Sequence, residues 1–319
     1  MTAADTTHYP HGITAVDTDY VRPRLDASHL LVENGRAAFV DTGTNASVPR
    51  LLAALARVDV EPADVDWVFL THVHLDHAGG AGLLLESLPN ATVVLHPRGA
   101  RHMIDPAKLE RGAMAVYGEA QYREMYGELV PIPAGRIREV DDGDELELAG
   151  RPLRVLHTEG HARHHYCLAD PASQGVFTGD SFGISYRELD TAAGEFIFPT
   201  TTPVHFDPDE AHRAVDRIMA LEPEQLFLTH YSRVTDLERL AADMHRALDD
   251  FVAIARRHAD PPERTRAIEA AMFEYLVERA RAHGVELDDE RLHEILDMDV
   301  VLNTQGLEFW LDHGPPTAR

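Results

Sequence analysis

The chain has 319 residues, 44% hydrophobic and 26% charged, the balance of a soluble globular enzyme long enough for one large domain and an appendage. Lys and Arg number 29 against 54 Asp and Glu, a formal net charge of −25. Such a surface repels phosphate backbones and anionic lipid, so no nucleic-acid or membrane partner is expected. A single cysteine, Cys167, excludes an intrachain disulfide framework. With no apolar run of 18 residues and no basic-then-apolar leader in Met1-Thr2-Ala3-Ala4-Asp5-Thr6-Thr7, a cytoplasmic location is expected.

In chain order, residues 28–41 read as a hairpin, with His29–Val32 and Ala37–Val40 flanking Asn34-Gly35, a favoured type I′ pair. The second strand ends in Asp41-Thr42-Gly43. Ser47 and Pro49 then open a helix through Leu51, Leu52 and Leu55, in the positions where helices accept a cap and a proline. Trp67-Val68-Phe69-Leu70 is an apolar strand leading into Thr71-His72-Val73-His74-Leu75-Asp76-His77 and a small-residue helix start, Ala78-Gly79-Gly80-Ala81-Gly82. A strand follows at 92–96. Residues 97–131 interrupt the alternation and read as a helical pair carrying Met103, Met114, Tyr117, Tyr122, Met125 and Tyr126, either packed on the domain or forming a lid over a substrate pocket.

Strands resume at 145–148, 153–157, 166–169 and 176–178. Asp207-Pro208-Asp209-Glu210 starts a helix to about Leu221, and a strand follows at 225–228. From about residue 236 the chain becomes three amphipathic helices, near 236–258, 262–283 and 289–298, broken at Asp260-Pro261-Pro262 and His283-Gly284. This divides the chain into a catalytic domain over 1–235 and a C-terminal helical extension over 236–319. The apolar cluster Leu307, Phe309 and Trp310 in that extension predicts a homodimer interface, with a cover on the pocket as the alternative role of these helices.

The chemistry lies just past the apolar strands. The first motif supplies His72, His74, Asp76 and His77. Residues 153–156 lead to Thr158-Glu159-Gly160-His161, residues 176–179 to Asp180, and residues 226–229 to His230. Strand ends gathered at one edge make a site, and these five His and two Asp suffice for two metal ions. Two divalent cations sharing a water lower its pKa to about 7, so a bridging hydroxide can attack a carbonyl or phosphoryl centre while the second cation stabilises the oxyanion. Asp76 is the candidate to orient that hydroxide and accept its proton. Imidazole and carboxylate donors suit zinc, and iron and manganese as alternatives.

The ordered motifs, from Thr71–His77 through Gly160-His161 and Gly179-Asp180 to His230, resemble those of the metallo-β-lactamase superfamily over roughly residues 12–233, with Asp41-Thr42-Gly43 similar to its early strand-end motif. The resemblance implies a four-layer αββα sandwich. It also implies a first metal on His72, His74 and His161, a second on Asp76, His77 and His230, and Asp180 bridging them. Asp41 is then expected to buttress the metal loop by hydrogen bonds, and His165 to stand behind the ligands. Tyr186, His205 and Tyr231 are candidates for the substrate wall, and His29 and His157 read as core histidines.

Within the superfamily, a β-lactamase normally lacks the bridging Asp and carries an export signal. A ribonuclease wants a basic surface, and a flavin-partnered diiron reductase has Glu where His74 stands. Hydroxyacylglutathione hydrolases look similar in their metal motifs and also carry helices after the last His, although Glu159 stands where they usually have Pro. The expected function is hydrolysis of a small thioester or carboxylic ester. Alternatives are a lactonase or phosphodiesterase with the same site, a mononuclear iron dioxygenase of a sulfur substrate, and a non-catalytic binding or regulatory protein.

Overall fold

A computed structural model describes residues 5–201, 203–260 and 263–314. The chain forms two compact units. The first comprises residues up to His157, His164–Gly179 and Glu224–Arg233, and the second Thr158–Arg163, Asp180–Pro223 and Val234 onward.

In the first unit one mixed sheet has seven strands in sequence order: β1 (Thr6–Tyr9), β2 (Ile13–Asp17), β3 (Ala27–Glu33), β4 (Arg36–Val40), β5 (Val65–Phe69), β6 (Thr92–Leu95) and β7 (Ile137–Glu139). It is antiparallel from β1 to β4 and parallel from β4 to β7. The turn between β3 and β4 forms because Asn34 and Gly35 both take positive φ, 47° and 77°, the twist that a tight hairpin requires. The second sheet contains β8 (Glu145–Leu148), β9 (Arg151–His157), β10 (Tyr166–Asp170), β11 (Gly175–Gly179), β12 (Gln225–Leu228) and β13 (Ser232–Val234), in the order β13-β12-β11-β10-β9-β8.

Strand alternation divides the core in two. Ala37 and Phe39 on β4, Val68 on β5, and Val93 and Leu95 on β6 face a helical layer built from Val48, Leu51, Leu55, Leu84 and Met103. Their neighbours Ala38, Val40, Phe69 and Val94 face the second sheet through Leu146, Leu148, Val155, Tyr166, Leu168, Phe177 and Phe227. The central strands β4 and β6 are therefore apolar on both faces and read as runs, whereas the edge strand β8, Glu145–Leu148, alternates exposed and buried residues. The helical layer contains α1 (Val48–Arg57), α2 (Leu75–Ala78) and α3 (Ala81–Ser87), and α1 carries Pro49 in its first turn.

The segment 97–131 holds three short helices rather than a pair: α4 (Pro97–Ile104), α5 (Ala107–Tyr117) and α6 (Glu119–Tyr126). Gly118 divides the last two with φ of 80°. Its end is held closely, since a Cβ on Gly82 would stand 1.8 Å from the Val130 carbonyl oxygen. Strands β1, β2, β7 and β13 carry no strong apolar run and went unread in the sequence.

The second unit contains α7 (Pro208–Met219), α8 (Leu237–Arg257), α9 (Arg264–Ala282) and α10 (Asp289–His313). Asp207 caps α7 by accepting from the Asp209 and Glu210 amides, as its sequence predicts. Of the expected break before α9, Pro261 and Pro262 lie outside the described residues. The last helix does not stop near residue 298 but runs to His313, because no breaker intervenes and its inner face stays buried through Asn303, Thr304, Gly306 and Leu307. The sequence places a boundary near residue 235, yet residues 180–223 group with the C-terminal helices. Tyr186 Oη donates to Asp299 (3.3 Å), Thr191 Oγ1 to the His283 carbonyl (2.8 Å), and Thr201 Oγ1 to the Asn303 side chain (2.9 Å). Leu307 and Trp310 are buried within this unit, Trp310 beneath the Arg256 guanidinium and against Phe206, so the cluster read as a dimer surface is largely covered by the chain itself. No helix among the described residues is long and apolar enough to cross a membrane.

His29 lies between the two sheets with its ring edge-on to Phe177 and Phe227 and its Nε2 3.3 Å from Ser232 Oγ. Burial pushes its imidazole down to about 4, against about 6.5 in an unfolded chain. Between those values the unfolded chain binds a proton that the folded chain refuses, so stability falls as pH drops from about 6.5 to 4, by about 3 kcal/mol for this group. Urea unfolding at pH 7 and pH 4.5 should show this loss, and His29→Leu should shrink it by about 2 kcal/mol. An unchanged difference in the variant would assign the acid sensitivity to other groups.

Candidate metal centre

The loop after β5 is organised by one buried carboxylate. Asp41 follows β4 with φ of 58°, which turns its side chain back under the loop. Its Oδ1 accepts from the Thr71 amide (2.9 Å), and its Oδ2 accepts from Thr71 Oγ1 (2.9 Å), His77 Nδ1 (2.8 Å) and Thr229 Oγ1 (2.8 Å). One side chain thereby joins the ends of β4, β5 and β12, and it is 1% exposed.

These bonds fix which ring nitrogen each histidine offers. A carboxylate only accepts, so His77 carries its proton on Nδ1 and presents the Nε2 lone pair. Thr71 Oγ1 spends its proton on Asp41 and therefore accepts from His72 Nδ1 at 3.2 Å, which leaves His72 Nε2 with a lone pair. That Nε2 faces His74 Nδ1 at 2.9 Å. His230 Nδ1 lies 2.7 Å from Asp26 Oδ1 and 3.2 Å from the Leu25 carbonyl oxygen, so His230 also turns Nε2 outward.

His77 Nε2 and His230 Nε2 each stand 3.5 Å from the same oxygen, Asp76 Oδ2. Asp76, His77 and His230 thus form a three-donor group whose ligand atoms lie within 4.8 Å of one another. Asp76 is its open member, with a side chain 21% exposed against 0% and 6% for the two histidines. In the second unit, His161 Nδ1 donates to the Thr200 carbonyl (3.2 Å), and His161 Nε2 lies 3.3 Å from Asp180 Oδ2. The pattern is the same: Nδ1 is tied to an acceptor and Nε2 meets a carboxylate. This donor set, neutral imidazoles with fixed tautomers beside carboxylates, fits divalent cations.

The remaining sequence candidates fall into distinct places. His165 is fully buried, with its ring 4.8 Å from that of His72, and a Cβ on Gly179 would meet its Nε2 at 2.7 Å. His164 stands beside it, its ring 6.2 Å from His72 and 5.7 Å from His74. Tyr231 is buried with Ala15 and Ala27, and so fills a small apolar cluster. Tyr186 is 1% exposed and bonded to Asp299 within the second unit. His205 is half-buried in the loop before α7.

Sequence reasoning missed Asp26 and Tyr20, read Thr229 only as part of the strand end before His230, and read Tyr126 only as part of the helical segment 97–131. Asp26 is fully buried against His230, and burial pushes its carboxyl up to about 6 against the pull of that imidazole. Tyr20 and Tyr126 join phenol to phenol at 2.5 Å, and burial, with the Asp76 charge adding to it, raises both. An Asp just before an apolar strand is a weak signal for the first, and no sequence signal pairs two tyrosines 106 residues apart.

Removing the Asp41 carboxylate strands the Thr71 amide, the His77 Nδ1–H and two hydroxyls in the interior. Asp41→Ala should cost about 2–4 kcal/mol in urea unfolding, because buried donors lose their acceptor. Asp41→Asn, which restores an acceptor of the same shape, should recover part of that loss. Wild-type stability in the alanine variant would remove Asp41 from its organising role.

The model of the metallo-beta-lactamase superfamily matches residues 22–230. The metallo-beta-lactamase fold-containing protein ST1585 of Sulfurisphaera tokodaii is 26% identical over 224 residues, spanning 69% of this chain and 77% of that protein. A hydroxyacylglutathione hydrolase of Acidiphilium cryptum is 25% identical over 283 residues, 88% of this chain and 86% of the relative. Among solved structures, ST1585 superposes with a TM-score of 0.65 at 21% identity, covering 94% of this chain and 99% of its own. The metallo-beta-lactamase family protein TTHA1429 of Thermus thermophilus gives 0.62 at 21% identity, with 98% and 95% covered. These likenesses support the fold, and the family match covers well over half of the sequence: the chain belongs to the metallo-beta-lactamase superfamily, with its α/β sandwich followed by C-terminal helices.

Proposed function

We propose that this chain is a dinuclear metallohydrolase cleaving small thioester or carboxylic ester substrates. The observation that carries the reading is the shared tautomer pattern. His72, His77, His161 and His230 each have Nδ1 engaged by an acceptor, leaving Nε2 as donor, and His74 turns Nδ1 toward His72. In this reading His72, His74, His161 and Asp180 would hold one cation, and Asp76, His77 and His230 would hold the other. Zinc suits the donors best. Cations bound there would supply a water nucleophile at neutral pH and a Lewis acid for the developing oxyanion.

The side chains do the rest. Asp41 holds His77 by a charge-assisted hydrogen bond, and Asp26 Oδ1, 2.7 Å from His230 Nδ1, pairs with that imidazole electrostatically; both raise the basicity of their histidines as ligands. Asp76, the exposed carboxylate of its group, orients the attacking water and takes its proton. The ester class is favoured by the hydroxyacylglutathione hydrolase relative, whose match extends over 88% of this chain and into the C-terminal helices. A reducing, cytoplasmic setting accords with the one buried cysteine.

Elemental analysis of protein purified without added metal or chelator should find about two zinc per chain. The same preparation should hydrolyse a thioester or carboxylic ester within a panel that includes a lactone and a phosphodiester. Asp76→Ala should lower kcat by about 10²–10⁴-fold, the usual contribution of a positioned proton acceptor. One iron per chain with oxygen uptake on a persulfide substrate would overturn the hydrolase reading.

A further inference from the structure

A second group of ligand-type side chains lies in the helical unit, on α7 and α8. His212 and Asp216 are four residues apart on α7, and His245 and Asp249 are four apart on α8, so each pair shares one helix face. The two faces meet. His212 Nδ1 lies 2.7 Å from His245 Nδ1, with the ring planes within 4° of parallel. His212 Nε2 lies 3.3 Å from Asp249 Oδ1, and His245 Nε2 lies 3.2 Å from Asp216 Oδ1. Each carboxylate therefore comes from the helix opposite the histidine it meets.

The chemistry of this crossing is specific. Each Asp Oδ1 lies beside its partner's Nε2 but is largely solvent-exposed, 71% for Asp216 and 78% for Asp249, so it biases the imidazole proton toward Nε2 and the lone pair toward Nδ1 without fixing either. Both lone pairs then face the same gap, which is unfavourable unless something positive lies between them. Two ligands bonded to one ion at right angles by bonds of about 2 Å stand about 2.8 Å apart, close to the separation seen. The imidazole side chains are 27% and 32% exposed, so a hydrated ion can reach the gap and the rings have room to turn toward it. A ligating imidazole backed by a carboxylate on its other nitrogen is the arrangement that strengthens metal binding.

We propose that His212 and His245 form a peripheral binding site for a borderline first-row divalent cation such as Ni²⁺, Cu²⁺ or Zn²⁺. Asp216 and Asp249 orient the two rings, and water completes the coordination. The ion clasps α7 to α8, independently of the Asp76 centre and of the reaction proposed for it.

The test uses the full chain with its primary centre filled by zinc, titrated with NiCl₂ and followed by calorimetry and native mass spectrometry. Wild type should bind one nickel per chain. His212→Gln and His245→Gln should each weaken that binding at least tenfold while folding normally by circular dichroism. Asp216→Asn and Asp249→Asn, which keep both ligands, should weaken it by about 10–100-fold. Asp76→Ala should retain this nickel, which separates the outcome from the fate of the hydrolase reading. Nickel binding that is absent, or equal in wild type and the histidine variants, would mean that the gap holds only a shared proton and would overturn the proposal.

Discussion

The candidate centre depends on the buried carboxylate of Asp41. It gathers donors from three strand ends: the Thr71 amide and hydroxyl, His77 Nδ1 and Thr229 Oγ1. A charged acceptor at 1% exposure is costly unless its oxygens are well satisfied. Satisfying it sets the register of the loop that carries Thr71 to His77 against the end of β12, where His230 stands. The tautomers of His72 and His77 follow from the same bonds. Geometry, electrostatics and ligand identity in this loop therefore share one cause.

Behind that carboxylate the architecture is simple. Two apolar sheets face one another through Phe69, Tyr166, Phe177 and Phe227, and the first sheet turns its other face to a helical layer. The candidate functional side chains sit where the strands stop. Small residues let the loops close: Gly179 takes φ of 49°, and a Cβ there would strike Thr71 Oγ1 at 2.6 Å. Any side chain at that position would push against both the Asp41 network and His165.

The helical unit uses polar bonds differently. Asn303 and Asp299 lie on the inner face of α10 and tie it to Thr201 and Tyr186. Trp310 lies under Arg256 and against Phe206. These contacts explain why α10 continues where a reading of local pattern stops it. The His212–His245 gap belongs to the same unit.

Much of the candidate centre was legible in the sequence, because its His and Asp side chains cluster in short motifs at the ends of apolar strands. Thr71 to His77, Gly160-His161, Gly179-Asp180 and His230 can each be found by local inspection. The Asn34-Gly35 turn, the Asp207 cap and the strands of both cores follow likewise from local residue chemistry. Other features depended on long-range contact and left no local mark. Asp26 meets His230 across some two hundred residues, Tyr20 meets Tyr126, and α7 presents His212 to His245 on α8. Short edge strands such as β1 and β7 are stabilised by their neighbours rather than by their own propensity. By itself the sequence determined the family, the motif side chains and the main apolar strands, since these are written in contiguous residues. Only the tertiary structure decided the tautomers, the buried carboxylates behind the ligands and the fate of the C-terminal apolar cluster, because each depends on which distant side chain arrives within hydrogen-bonding or packing distance.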